Sequence, residues 1–160
     1  MNYEMKRVNR ELSTEETLNI ISKGQYGVMA CVGSDLEPYG VPLSYVLYNG
    51  SVYFHCASQG HKIDNIKHNP MVSFVVVGET NPVLEKDTLN FSTYYESAII
   101  FGNVSEVVED IEKIGALRAL CDKYLHNHMD KFEYAIKRSL KITKVYKINF
   151  CKLSGKAKRP

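Results

Sequence analysis

The chain has 160 residues, of which 44% are hydrophobic and 24% charged, and its formal net charge is +2. That length suits one domain with a real core, and so small a charge gives no broad field to attract nucleic acid. No run of about 18 apolar residues exists, so no membrane-spanning helix is expected.

The opening "MNYEMKRVNREL" is polar and lacks the apolar stretch of a signal peptide. The four cysteines, Cys31, Cys56, Cys121 and Cys151, form no C-x-x-C pair. A cytoplasmic protein with reduced thiols is the expectation.

In chain order, "STEE" at Ser13 to Glu16 reads as a capping box. It predicts a helix carrying Leu18 and Ile21 on one face and stopped by Gly24. "YGVMACV", Tyr26 to Val32, reads as a buried strand, and "GSDLEP" as a turn. "YGVPLSYVLY" alternates, with Val41, Leu43, Tyr45 and Leu47 on one face and Pro42, Ser44 and Val46 on the other. Asn49-Gly50 signals a hairpin into "SVYFHC". A short helix follows and Pro70 ends it.

"MVSFVVV", Met71 to Val77, reads as a further strand, and Gly78 to Phe91 as a polar loop. A long strand is predicted from Tyr95 to Val108, with Gly102 marking a bulge or bend. Ile111, Ile114, Leu117, Leu120, Cys121 and Tyr124 mark one helix. Phe132, Ala135, Ile136, Ser139 and Leu140 mark another. "ITKVYKINFCKL" reads as the last strand, and "GKAKRP" as a solvated end. No repeat or linker divides residues 1–160, so they read as a single domain. Hairpin-linked strands point to a predominantly β chain with some α (α+β): a small antiparallel barrel with helices packed outside.

One stretch carries chemistry. "YFHCASQGHKIDNIKHNP" runs from a strand through small residues into a helix that begins with His61 and Lys62. Cations are unfavourable at a helix N-terminus, which already carries partial positive charge. Free N–H groups there bind anions well, so a phosphate would satisfy both the N–H groups and the ammonium. Asp64 partly offsets the charge, and a solvated surface lysine is the plainer alternative. Pro42 cannot donate to a ladder, so its strand has an edge or a bulge there. Its backbone is then either turned to a flat ligand along Val41 to Tyr45 or simply at the rim of a barrel.

The segments "EPYGVPLSYVLYNGSVYFHCASQGHKIDNIKHNPMVSFVVVG" and "YESAIIFG" together resemble the FMN-binding split barrel of the pyridoxamine 5′-phosphate oxidase superfamily. Within it they look most like the nitroimidazole-resistance branch. The resemblance implies a homodimer with FMN at the subunit interface. It implies that Val41, Pro42, Leu43, Ser44, Tyr45 and Val46 line the isoalloxazine and ribityl chain. It places His55 and Cys56 near the flavin. His61 and Lys62 match an Arg-Lys pair that grips the phosphate, histidine standing in for arginine. Ser97 matches a glutamine that contacts FMN. The oxidases also carry a tryptophan and an arginine near the C-terminus. This chain has no tryptophan, and Lys156 or Arg159 would have to substitute, Lys156 acting from the partner subunit.

The implied activity passes electrons from reduced FMN to a small acceptor such as a nitroaromatic, with NAD(P)H or another reductant as donor. His55 is the candidate catalytic side chain, as proton donor or polar anchor; otherwise it is a histidine satisfied in the barrel wall. Tyr45 and Tyr95 either wall the pocket or simply pack. A flavin or haem binder without turnover, a redox sensor and a pyridoxamine 5′-phosphate oxidase are the alternatives. A zinc site from His55, Cys56, His61 and His68 matches no common ligand spacing. A barrel that binds single-stranded nucleic acid lacks the basic patch it needs.

Overall fold

A computed structural model describes residues 4–87 and 89–160. The first three residues of the polar opening, and Thr88 within the segment Gly78 to Phe91, lie outside the described residues. Helix α1 (Thr14–Lys23) opens on the expected capping box. The Glu16 N–H donates to Ser13 Oγ at 3.2 Å, and the Ser13 N–H donates to the Glu16 carboxylate at 3.0 Å. Two of the orphan donors at this helix start are thereby satisfied. Gly24 ends the helix as expected, in an extended conformation at φ −60°, ψ 135°. Glycine is needed there for room: a Cβ would collide with Val76 and lie 2.6 Å from the Tyr45 hydroxyl.

The strands are β1 (Gly27–Val32), β2 (Pro38–Leu43), β3 (Val46–Tyr48), β4 (Ser51–Cys56), β5 (Met71–Glu85), β6 (Asn90–Glu106) and β7 (Lys144–Lys158). Helix α2 (His61–His68) lies between β4 and β5. Helices α3 (Asp110–Leu125) and α4 (Phe132–Ser139) lie between β6 and β7. These strands pair antiparallel throughout, in the order β2-β1-β5-β6-β7-β4-β3. The two edge strands, β2 and β3, are thus joined by only two residues, Ser44 and Tyr45. A sheet whose opposite edges lie that close along the chain must curl onto itself, as in a split barrel.

The segment Tyr39 to Tyr48, expected as one strand, is therefore two, each with a different partner. Its alternation survives the break. Val41, Leu43, Tyr45 and Leu47 pack in the barrel interior, while Val46 joins a second apolar cluster outside it. At the break, the Tyr124 hydroxyl takes the place of a strand partner. It accepts from the Tyr45 N–H at 2.9 Å and lies 2.8 Å from both the Tyr45 and Gln25 carbonyls. A hydroxyl has one proton, so it donates to one carbonyl at a time.

The interior cluster is built on Met29, Phe54, Phe74, Ile100 and Ile148, all fully buried, with Ile20 and Ile21 of α1 packed into it. The outer cluster joins Leu117 and Leu120 of α3 and Phe132 and Ile136 of α4 to Val46, Tyr53 and Val145. The helices cover only that part of the barrel. On the outer face of β1, β5 and β6, Val28, Val77 and Phe101 stay 43%, 62% and 40% exposed.

Two further segments differ from the sequence reading. Gly78 to Phe91 is not a loop: β5 and β6 continue past a register shift after Val77 and pair from Thr80↔Tyr95 to Glu85↔Asn90. Polar composition hid this hairpin, because cross-strand pairing rather than a buried face sustains it. The end of the chain is not free either. Lys156 pairs with Ser97 and Lys158 with Tyr95, and Gly155 and Ala157 are buried. Arg159 pairs with Glu16 at 2.8 Å and Glu96 at 2.9 Å. Gly102 sits at the expected register shift, where a Cβ would run into the Asn149 carbonyl.

Tyr124→Phe should lower stability by about 1–3 kcal/mol, the cost of leaving backbone groups at the seam unpaired. A urea titration reads this as a lower midpoint with an unchanged slope. An unchanged midpoint would mean that water replaces the hydroxyl at no cost.

Candidate functional site

The site begins where β4 meets α2. Phe54 points into the barrel and is fully buried. His55, next along the strand, therefore points out. Cys56 turns back and packs against the interior cluster. Residues 57–60 reverse the chain, and Gly60 holds φ +128°, a region that only glycine enters without strain. The Gly60 carbonyl then accepts from the Ile63 and Asp64 N–H groups at 2.8 and 3.1 Å. Among the described residues, no side chain caps this start. Its first N–H groups therefore remain available to an anion.

The two basic side chains are held differently. His61 is exposed, its ring 4.4 Å from that of Tyr39 on β2. The Lys62 ammonium reaches back over the barrel end to 5.8 Å from the Phe54 ring centroid. From there its charge is felt at Cys31, His55 and Cys56. The His55 side chain keeps solvent exposure and is also crowded by neighbouring protein. That desolvation pushes the imidazole below its ordinary value of 6.5, and Lys62 lowers it further. Burial pushes the Cys56 thiol up; Lys62 opposes this and Glu106 adds to it. Cys56 is therefore not primed as a nucleophile.

Strand β2 borders the same region. Among the described residues it pairs only with β1, and such an edge strand tolerates Pro42. Pro42 and Ser44 present their side chains to solvent, while Leu43, Tyr45 and Val46 are buried and Val41 is half-buried. From Val41 to Val46, the groups most open to solvent are therefore the edge backbone and the side chains of Pro42 and Ser44.

Ser97 and Lys156 lie apart from this group, paired across β6 and β7. Their neighbours Ala98, Gly155 and Ala157 are buried, so both side chains stand on the outer face. Tyr95 stands near them, away from β2 and α2, and Arg10 joins it: Arg10 Nη1 donates to the Tyr95 hydroxyl at 3.5 Å. Desolvation pushes the Tyr95 phenol up, but Arg10 and Lys156 outweigh it and hold the phenol below its ordinary value. The sequence reading missed Arg10. Nothing local marks it, because strand register brings Tyr95 to it from 85 residues away.

A cavity of about 300 Å³ opens beside His55 and runs under α3 and α4, with Ser44 and Tyr124 at its wall. A wider depression, about 610 Å³, lies between the end of α1 and the outer face of β1 and β5, with Val28, Val75 and Val77 among its lining. Among the described residues, no three His, Cys, Asp or Glu side chains converge on a point where a metal ion would sit. Nor is any described helix long and apolar enough to cross a membrane.

The curled antiparallel sheet with outer helices defines a split-barrel protein. The sequence model of the family described as "Pyridoxamine 5′-phosphate oxidase" matches residues 13–157, and the chain belongs to that family. No curated protein matches the sequence. Solved structures that share the fold include these three. One is a candidate 5-nitroimidazole antibiotic resistance protein from Bacteroides thetaiotaomicron, at 23% identity and TM-score 0.81, covering 92% of this chain and 86% of that one. Another is the flavocytochrome Anf3 from Azotobacter vinelandii, at 16% and 0.84, covering 99% and 73%. A third is the FAD and heme binding protein from Mycobacterium smegmatis, at 18% and 0.82, covering 94% and 74%.

The position of Lys62 makes a pH prediction. With its folded value lowered, His55 holds fewer protons in the folded than in the unfolded chain just below pH 6.5. Its contribution to stability is present above 6.5 and is lost as pH falls through the window below it. In an NMR titration the His55 midpoint should lie below 6.5. Lys62→Met should raise that midpoint only in part, since desolvation is the larger cause. An unmoved midpoint would show that the ammonium does not act on the ring.

Proposed function

We propose that this chain is a flavin-binding protein that works as a homodimer and passes electrons from reduced FMN to a small acceptor such as a nitroaromatic. The observation that carries this reading is the start of α2: an uncapped helix N-terminus with the Lys62 ammonium reaching back from it over the barrel end. That arrangement fits a phosphate monoester, which takes hydrogen bonds from the free N–H groups and charge from the ammonium. The unpaired backbone of β2 is adjacent to it through the contact of Tyr39 with His61, and suits the amide-like edge of an isoalloxazine. Family membership and the flavin named for two of the structural relatives support the same reading.

When bound, FMN supplies the redox chemistry. The residues of this chain do the rest. Lys62 and the α2 N–H groups fix the phosphate end. His61 adds charge when protonated, without the bidentate fork of arginine. The edge backbone of β2, with Pro42 and Ser44, orients the ring. His55 holds a ring nitrogen at the mouth of the cavity, where it can bond or give a proton to an acceptor. NAD(P)H or another external reductant is the electron donor.

The uncovered face of β1, β5 and β6 is the surface proposed to meet a second copy. Exposed apolar patches of this kind mark protein contacts, and Ser97 and Lys156 stand on the same outer face of the sheet. From there they would reach a flavin held by the other subunit. A second reading, a flavin or haem binder without turnover, draws on the cofactors named for the flavocytochrome and for the FAD and heme binding protein. The two separate when flavin-loaded protein is given NAD(P)H or dithionite and a nitro compound. Sustained reduction of the nitro compound supports the enzyme, and flavin retention without turnover supports the binder.

Lys62→Ala should weaken FMN binding about tenfold or more, the worth of one charge-assisted contact, while the urea midpoint stays near that of the parent. Fluorescence quenching of FMN measures this, and an unchanged affinity would remove the phosphate from α2. Val77→Glu, placing a charge on the uncovered face, should shift the species seen by light scattering from dimer toward monomer. A parent chain that is monomeric at all concentrations would overturn the dimer.

A further inference from the structure

We infer that the cavity under α3 and α4 is a binding site for a neutral, largely apolar planar ligand of one or two rings, and that it rejects anions. The cavity is built within one chain, so the inference does not depend on the proposed dimer; at Ser44 and His55 it adjoins the proposed flavin site.

Its walls come from the outer cluster. Leu117 and Leu120 of α3 and Phe132 and Ile136 of α4 are buried in that cluster and still border the space. An apolar cavity of about 150 Å³ accommodates benzene; this one, at about 300 Å³, has room for two fused rings. The polar residues along its wall are few: Ser44, Ser139, Thr143, Tyr124, Cys121 and His55, with the Tyr124 and Ser139 hydroxyls already bonded to backbone. Few polar groups in an apolar wall is the usual pattern of a small-molecule site, where they fix orientation rather than supply affinity.

No aspartate, glutamate, lysine or arginine is among the lining residues. The titratable groups that are present are held neutral. Burial pushes the Cys121 thiol and the Tyr124 phenol up, and desolvation pushes the His55 imidazole down. Lys62 adds to the effect on His55. Lys123, beside Tyr124 on α3, turns away to donate to the Gly24 carbonyl at 2.7 Å and lies over the Tyr45 ring. A carboxylate or phosphate entering the cavity would lose its hydration with no cation to replace it. A neutral ring loses little and gains the apolar wall.

The chemistry also says which way a bound ligand faces. Its apolar body lies toward Leu120 and Phe132. A single acceptor or donor on its rim meets His55 and Ser44, both at the end that borders β2 and α2.

Indole and indole-5-carboxylate share one ring system and differ by one charge, so they serve as probes. Calorimetry on the full chain, shown to be flavin-free by absorbance, should give saturable binding of indole at one per chain. The carboxylate should bind more than about tenfold more weakly, given the desolvation of its charge. Ala135→Trp, at the exposed edge of the cavity, should block indole. If circular dichroism shows that this variant does not fold, Ala135→Leu decides, with a smaller loss expected. Indole should also shift the His55 ring signals in NMR. Equal affinity for the two probes, the absence of saturable indole binding, or indole affinity unchanged by a folded Ala135 variant would each overturn the inference. The indole titration on flavin-free protein decides the inference and the FMN titration decides the flavin reading, so the failure of one is distinguishable from the failure of the other.

Discussion

The fold depends on a two-residue seam. Ser44 and Tyr45 carry the chain from one edge of a seven-stranded sheet to the other. The sheet cannot be flat with its first and last strands held that close. Closing it by strand pairing would leave no free edge, and here it is closed by the chain itself and by one tyrosine. The Tyr124 hydroxyl receives the Tyr45 N–H and meets the Tyr45 and Gln25 carbonyls. It thereby stands in for a missing ladder and ties α3 to the turn that follows α1.

The site follows from that geometry. Because the barrel closes without pairing β2 to β3, β2 keeps an unpaired backbone edge. Helix α2, returned by Gly60 across the end of the barrel, sets its uncapped N-terminus beside that edge. The start of α2 and the free edge of β2 are thus neighbours in space, although the β3-β4 hairpin separates Ser44 from Lys62 along the chain. The same closure decides where His55 points. Its neighbours Phe54 and Cys56 fill the barrel, so the imidazole faces the layer beneath α3 and α4 and loses part of its hydration.

Much of this was legible in the sequence because it is local. The capping box, the Asn49-Gly50 hairpin and the alternation from Val41 to Leu47 each follow from neighbouring residues. So does the helix start at His61, where a glycine precedes a histidine and a lysine. The hairpin from Gly78 to Phe91 was not legible, because its polar segments hold each other by cross-strand pairing and bury no periodic face. Nor was the last strand's reach to Lys158, which rests on pairing with β6 and on the fit of Gly155 against Thr17. The contact of Arg10 with Tyr95 and the cavity under α3 and α4 were equally hidden, since each joins elements distant along the chain.

The sequence by itself determined where most of the elements begin and stop, which face of each is apolar, and that a cationic helix start follows a small-residue turn. These are matters of period, capping and turn chemistry, which act over a few residues. Only the tertiary structure decided that Tyr39 to Tyr48 splits between the two edges of one sheet and that Lys62 folds back toward His55 and Cys56. It also decided that one face of the barrel is clothed by helices and another left bare. The reason is physical: closure, burial and charge proximity depend on distances through space, and a chain's local preferences do not contain them.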